Sequence, residues 1–277
     1  MPAHTRRILV IWLVLTAIAV PLIVLVLGPH LPPGRMSAEA ASQVDANTLM
    51  TALIAPIVLL LAVYFGYSLV VFRARGDTIE DGPPVFGHAQ TQLLWIVFTS
   101  VIVVALAAWG SYTLIVSSHG AGGGQGPDPI ALPNGWQHSL QVQVIGQQWN
   151  WTYRFPGYGD VETQRLELPA GETIELHVTS LDVTHSFWAY QLGVKADAVP
   201  GVDNIAFVHP RKRGSFSIRC AELCGLWHGH MFQTGHVVDR ATFVAWIAAQ
   251  RKANALNEQY LPGYSGHYYP QPLRRAG

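Results

Sequence analysis

The hydrophobic positions of this chain change their period near residue 117. Before it lie three unbroken apolar runs, Ile8 to Leu27, Leu49 to Phe72 and Leu93 to Val116. Each reaches the roughly 20 residues that a helix needs to cross the hydrocarbon core of a bilayer. Pro21 and Pro56 fall inside two of them. A membrane helix tolerates this because neighbouring groups re-satisfy the freed carbonyl. Pro29 to Ala46 reads as a short polar, proline-containing link, and Asp77 to Pro84 as a polar turn. The first run has a competing reading, a cleaved signal peptide with Ala38-Glu39-Ala40 as its cleavage site. A signal core is usually shorter, about 7–15 residues, so a retained helix is preferred. Arg6, Arg7, Arg73 and Arg75 flank the runs, and cationic flanks stay in the cytoplasm. Everything after Ser117 is then expected outside, with or without the first segment.

Beyond the runs the period becomes two. Leu140, Val142 and Val144 share one face of a strand, as do Trp149, Trp151, Tyr153 and Phe155. Ile174, Leu176 and Val178 repeat the pattern, and so do Phe216, Ile218 and Cys220. Such runs, bounded by Gly, Pro and Asp, predict a small antiparallel sandwich or barrel. From Ala241 to Gln259 the pattern turns helical, with Phe243, Trp246 and Ile247 on one stripe. The expected fold is an α+β membrane protein, with transmembrane helices followed by an extracytoplasmic all-β domain. The expected divisions are 1–46, an apolar segment and link; 47–116, a helical hairpin; 117–240, the β domain; and 241–277, a helix and tail.

Composition sharpens this picture. Only 12% of residues are charged and 50% are hydrophobic, as membrane segments require. The formal net charge is zero, so no basic surface calls for nucleic acid. No P-loop or dinucleotide-binding glycine motif is present, and Gly122-Gly123-Gly124 reads as a flexible linker.

The chemistry concentrates in one stretch, Cys220-Ala221-Glu222-Leu223-Cys224-Gly225-Leu226-Trp227-His228-Gly229-His230-Met231, which holds both cysteines of the chain. Thiolate, imidazole and thioether together select a soft or borderline metal, copper first. A mononuclear blue-copper site uses one Cys, two His and a weak Met. Here there is one Cys too many and one His too few, with His185 a candidate for the missing ligand. The extra sulfur suggests two metal ions sharing two thiolates. A plain disulfide is the alternative, and it leaves His228 and Met231 without a reason. His230 and His236 match no motif position and read as surface or hydrogen-bonded histidines.

With its preceding histidine, the stretch C-x-E-x-C-G-x-x-H-x-x-M resembles subunit II of cytochrome c oxidase, with its dinuclear copper A centre. Gly146-Gln147-Gln148-Trp149-Asn150-Trp151 and the segment Gly193 to Gly201 extend the resemblance over roughly residues 45 to 240. It implies a cupredoxin-like Greek-key domain and two copper ions. Cys220 and Cys224 would bridge them, His185 and His228 would cap one each, and Met231 would be a weak axial ligand. Glu222 would give its backbone carbonyl to copper and its side chain to a magnesium ion shared with the catalytic subunit. Trp149 would accept electrons from cytochrome c or a similar donor, with Asp160, Glu162 and Asp182 as candidate docking carboxylates. The implied partners are the catalytic subunit I of a haem–copper oxidase, other oxidase subunits and the bacterial plasma membrane. Electrons would pass on to haem in that subunit, where oxygen becomes water with proton translocation.

No C-x-x-C-H motif is present, so no haem is expected on this chain. A quinol oxidase subunit would lack the copper ligands. A copper chaperone would place its histidine after the cysteines on a thioredoxin-like fold, and nitrous oxide reductase would need a large second domain. One departure stands out. Many members carry a glutamate three residues before the tryptophan that Trp95 matches, and here that position is Gln92. Proton entrance is then expected to use another acid, such as Asp77, Glu80 or Asp81, or a group on the partner.

Overall fold

A computed structural model describes residues 3–73, 87–113 and 136–258. The acids Asp77, Glu80 and Asp81, the glycine linker and the tail from Leu261 lie outside the described residues. The chain divides into two compact units, Met1–Leu31 with Asp45–Ser111, and Pro32–Val44 with Tyr112–Gly277.

The first unit is helical. Helix α1 spans Ala3–Leu22 and runs on through short turns to His30. Helices α2, Ala38–Val71, and α3, Ala89–Tyr112, match the second and third apolar runs. All three are long and apolar enough to cross a membrane, with the apolar stretches unburied within the chain. Helix α1 meets α2 through polar groups: the Trp12 indole N–H donates to the Pro56 carbonyl at 2.8 Å, and His4 Nδ1 lies 2.8 Å from the Tyr67 hydroxyl. In a bilayer such internal partners are needed, because no water reaches the core.

The second unit is a two-layer sandwich. Strand β1 is Leu140–Gln147, β2 Asn150–Phe155, β3 Val161–Thr163, β4 Glu167–Pro169 and β5 Ile174–Ser180. Strand β6 is His185–Ala189, β7 Val194–Ala198, β8 Asn204–Val208, β9 Gly214–Cys220 and β10 Phe232–Val238. One sheet has the order β3-β2-β1-β5-β8 and the other β4-β10-β9-β6-β7. This is the expected cupredoxin-like sandwich, with one correction: β1 pairs with β5, and β10 with β4, in parallel. Successive strands switch between sheets, so some neighbours arrive by crossover. Period-two alternation reports which face is buried and not which way the neighbour runs.

The inward faces are those the alternation picked out. Val142, Val144, Leu176 and Val178 meet Phe187, Phe216 and Ile218 in one core, with Trp151, Tyr153 and Phe155 fully buried. Truncating one of these rings to Ala should cost about 3–5 kcal/mol. The final helix, α4, spans Arg240–Glu258. Asp239 caps its start by accepting the Thr242 N–H at 2.9 Å. Phe243 and Ile247 are buried and Trp246 is partly buried, as the stripe predicts.

Pro32–Val44, expected as part of a polar link, packs into this unit, and the boundary expected at residue 46 falls inside α2. Its polar residues serve the β unit's backbone. Ser37 Oγ donates to the Leu192 carbonyl at 2.6 Å, and Glu39 Oε2 accepts the His209 N–H at 2.9 Å. The Arg211 and Lys212 N–H groups donate to the Met36 carbonyl at 2.8 and 3.0 Å.

Candidate metal centre

The candidate ligands stand where three neighbouring strands of one sheet end. His185 opens β6, Cys220 closes β9 and Met231 immediately precedes β10. Strand β9 pairs with β6 on one side and β10 on the other, antiparallel both times. The Cys220 N–H donates to the Met231 carbonyl at 3.0 Å, and the Ala221 N–H to the Ser186 carbonyl at 2.9 Å. The ladder thus sets three side chains before any metal binds. The remaining candidates lie on the β9–β10 loop, whose turn is closed by His228 N–H to the Gly225 carbonyl at 3.1 Å.

The donor atoms converge. Cys220 Sγ lies 3.7 Å from Cys224 Sγ, 3.8 Å from His185 Nδ1 and 3.1 Å from the Glu222 carbonyl oxygen. Cys224 Sγ lies 3.5 Å from His228 Nδ1 and 3.8 Å from Met231 Sδ. His185, Cys220 and Cys224 offer ligand atoms all within 4.8 Å of one another. Both cysteines are free thiols, so the disulfide alternative is not what the chain adopts. His185 is 0% exposed, Met231 1% and Cys224 3%, while His228 is half-buried and the Glu222 side chain is exposed.

Burial and the adjacent Cys220 thiol push the Cys224 thiol up to about 12. At that value the Cys224 thiol keeps its proton near neutral pH. A cation bound by both sulfurs would hold them as thiolates and release the protons. The set of two sulfurs, two imidazole nitrogens, a thioether and a carbonyl fits copper.

Three surrounding residues went unassigned or misassigned from the pattern. Asp182, a candidate docking carboxylate, is an exposed residue whose carboxylate faces His185 and the Gln148 backbone. Its Oδ1 accepts the His185 Nε2–H at 2.9 Å, and its Oδ2 accepts the Gln148 N–H at 2.7 Å. Burial would raise its carboxyl, but the Gln148 and Val183 N–H groups and the His185 imidazole hold it below its ordinary range. A carboxylate three residues before a ligand histidine was the available signal. Gln148 was missed: its side-chain amide donates to the Cys224 carbonyl at 2.8 Å. Trp149 is half-buried in the β1–β2 turn, outside the strand face where alternation placed it. Gln148 and Trp149 themselves form the turn, and β2 begins only at Asn150. Its indole N–H donates to the same Cys224 carbonyl at 3.2 Å.

The other two docking candidates are paired with a cation: Arg154 Nη2 lies 3.2 Å from Asp160 and its Nε 3.9 Å from Glu162. The loop exposes the apolar side chains of Leu223, Leu226 and Trp227 beside Glu222 and His230.

Comparison with known proteins follows the same residues. The model of the family described as cytochrome C oxidase subunit II, periplasmic domain, matches residues 162–238. Cytochrome c oxidase subunit 2 of a Synechocystis species is 28% identical over 255 residues, covering 80% of this chain and 76% of that protein. A probable cytochrome c oxidase subunit 2 of Rickettsia bellii is 28% identical over 224 residues, covering 73% of this chain and 77% of that protein. The crystal structure of the periplasmic domain of subunit II of cytochrome oxidase from Bradyrhizobium japonicum is 32% identical, covers 41% of this chain and 94% of that one, and has a TM-score of 0.40. Motif, family model and relatives agree: the chain belongs to the cytochrome c oxidase subunit II family, the subunit of haem–copper oxidases with a copper A-type domain.

Proposed function

We propose that this chain is the electron-accepting subunit of a cytochrome c oxidase, taking electrons from cytochrome c or a similar donor. The observation that carries the reading is the convergence of two buried thiols, 3.7 Å apart, with an imidazole Nδ1 beside each. Cys220 and Cys224 would bridge two coppers, His185 and His228 would cap them, and Met231 and the Glu222 carbonyl would complete the set. When bound, the copper pair supplies a one-electron relay between donor and haem. The chain's own contribution is to hold His185, Cys220 and Met231 at strand ends, which need not move when the charge changes. Trp149, hydrogen-bonded to the Cys224 carbonyl, would be the point where the donor's electron arrives.

The exposed Glu222 side chain is free to reach a magnesium ion shared with the catalytic subunit, since carboxylate oxygen suits that hard cation. Reduction of oxygen to water at haem, coupled to proton translocation, would take place on that partner subunit. With Asp160 and Glu162 paired to Arg154 and apolar residues around the loop, the donor would dock with little electrostatic attraction. The copper domain would lie on the extracytoplasmic side of a bacterial plasma membrane, as Arg6, Arg7, Arg73 and Arg75 suggest.

Rapid mixing of the assembled, oxidised oxidase with reduced cytochrome c tests this. The copper absorption should bleach before haem is reduced, and raising the salt should change the rate little. Haem reduction with unchanged copper absorption would overturn the proposal.

A further inference from the structure

We infer that Asp182 is a positioning residue of the metal centre: its carboxylate fixes which nitrogen of His185 faces the copper and ties that ligand to the turn carrying Trp149. The inference rests on the copper reading above. It assigns to Asp182 a task that competes with docking a donor.

His185 is 0% exposed, so its ring has no water to satisfy a protonated nitrogen. The nitrogen that carries the proton must face an acceptor, and Asp182 Oδ1 is 2.9 Å from Nε2. With the proton on Nε2, the lone pair is on Nδ1, the atom that points at Cys220 Sγ from 3.8 Å. A neutral imidazole ligand takes its orientation from the hydrogen bond of its other nitrogen.

The carboxylate is itself held. Its Oδ1 also accepts the Val183 N–H at 2.7 Å, and its Oδ2 accepts the Gln148 N–H at 2.7 Å. The turn between β5 and β6 that carries it is fastened to β1 by the Leu181 N–H, which donates to the Gly146 carbonyl at 3.0 Å. Gly146 also lies under the imidazole: a Cβ there would meet His185 Cδ2 at 3.1 Å and Trp151 Cζ3 at 3.0 Å. Trp151 meets the ring edge-on, at 5.9 Å between centroids. The ring is therefore enclosed by backbone and indole, and the Asp182 contact selects its tautomer. Because Gln148 precedes Trp149, the same carboxylate joins the proposed electron-input turn to a ligand.

Two measurements decide the matter. In the metal-free full-length chain, nitrogen NMR of labelled histidine should find the His185 proton on Nε2; a proton on Nδ1 would overturn the inference. In the assembled oxidase, Asp182→Asn should lower copper affinity roughly 10–100-fold. At full loading it should alter the copper paramagnetic spectrum and the potential, and Asp182→Glu should restore part of both. Asp182→Asn with the parent's copper content, spectrum and potential, but a salt-dependent rise in KM for reduced cytochrome c, would overturn the inference and return Asp182 to docking. A parent without the copper pair would instead overturn the proposed function, and the tautomer measurement would still decide this inference.

Discussion

The indole of Trp149 is bonded to the backbone of a ligand: its N–H donates to the Cys224 carbonyl at 3.2 Å. Gly225 makes the approach possible, since a Cβ there would stand 2.9 Å from Gln148 Nε2 and 3.4 Å from the Trp149 ring. Its φ of +113° also lies in a region open mainly to glycine. Trp149 is nevertheless only half-buried.

Replacing Trp149 by Phe removes this hydrogen bond and keeps a smaller aromatic ring. The loss should cost about 1 kcal/mol of stability. Reduction by the donor should slow, while copper content and spectrum stay as in the parent, because the Gln148 amide still holds the same carbonyl. Stopped-flow reduction and a spectrum of the resting protein check this. A changed spectrum would make Trp149 a structural prop of the loop.

Much of this arrangement was legible in the residues. The three apolar runs became α1, α2 and α3 because length and hydropathy alone decide them. The alternation of Trp151, Tyr153 and Phe155 gave their buried face correctly, because side-chain direction in a strand is local. Trp149 was misplaced because a turn breaks phase without leaving a mark on the hydrophobic pattern. The parallel β1–β5 pair and the docking of residues 32–44 were hidden for another reason. They depend on contacts far apart in sequence, and Ser37 and Glu39 read as part of a polar link although they bind backbone. The ligand stretch was readable because its chemistry is packed into twelve consecutive positions plus His185.

A partly buried triad away from the ligand cluster predicts a pH-dependent stability. His177 Nδ1 lies 2.8 Å from Asp203 Oδ2 and its Nε2 3.5 Å from Glu175 Oε1. Burial works against the charge, but the two carboxylates outweigh it and hold the imidazole at about 9, above its ordinary 6.5. A raised folded-state value means stability is fully present below about pH 6.5 and lost as pH rises towards 9. Thermal melting of the chain should fall across that window, and His177→Gln should flatten the decline. An equal slope in both proteins would remove His177 as its source.

Gly146→Ala should disturb the metal centre without touching a ligand. The added methyl would stand 3.1 Å from the His185 ring and 3.0 Å from Trp151, closer than carbon atoms pack. Overpacking of this kind costs about 1–3 kcal/mol. Copper content per folded chain should drop, and melting temperature should fall with it. Unchanged values for both would show that the ring has room to move.

The arginine flanks predict that the β unit lies on the extracytoplasmic side. Protease added to intact spheroplasts should cut within residues 136–258, which hold the ten strands and α4. Protection in spheroplasts, with cutting in inverted vesicles, would reverse the orientation.

The most direct test of the central claim is the metal content and paramagnetic resonance spectrum of the purified, copper-loaded protein. Two coppers per chain sharing one unpaired electron are predicted. Cys220→Ser and Cys224→Ser should each abolish the shared signal, and Met231→Leu should keep copper while shifting its potential. One copper per chain with a localised signal, persisting when either cysteine is replaced, would contradict the account.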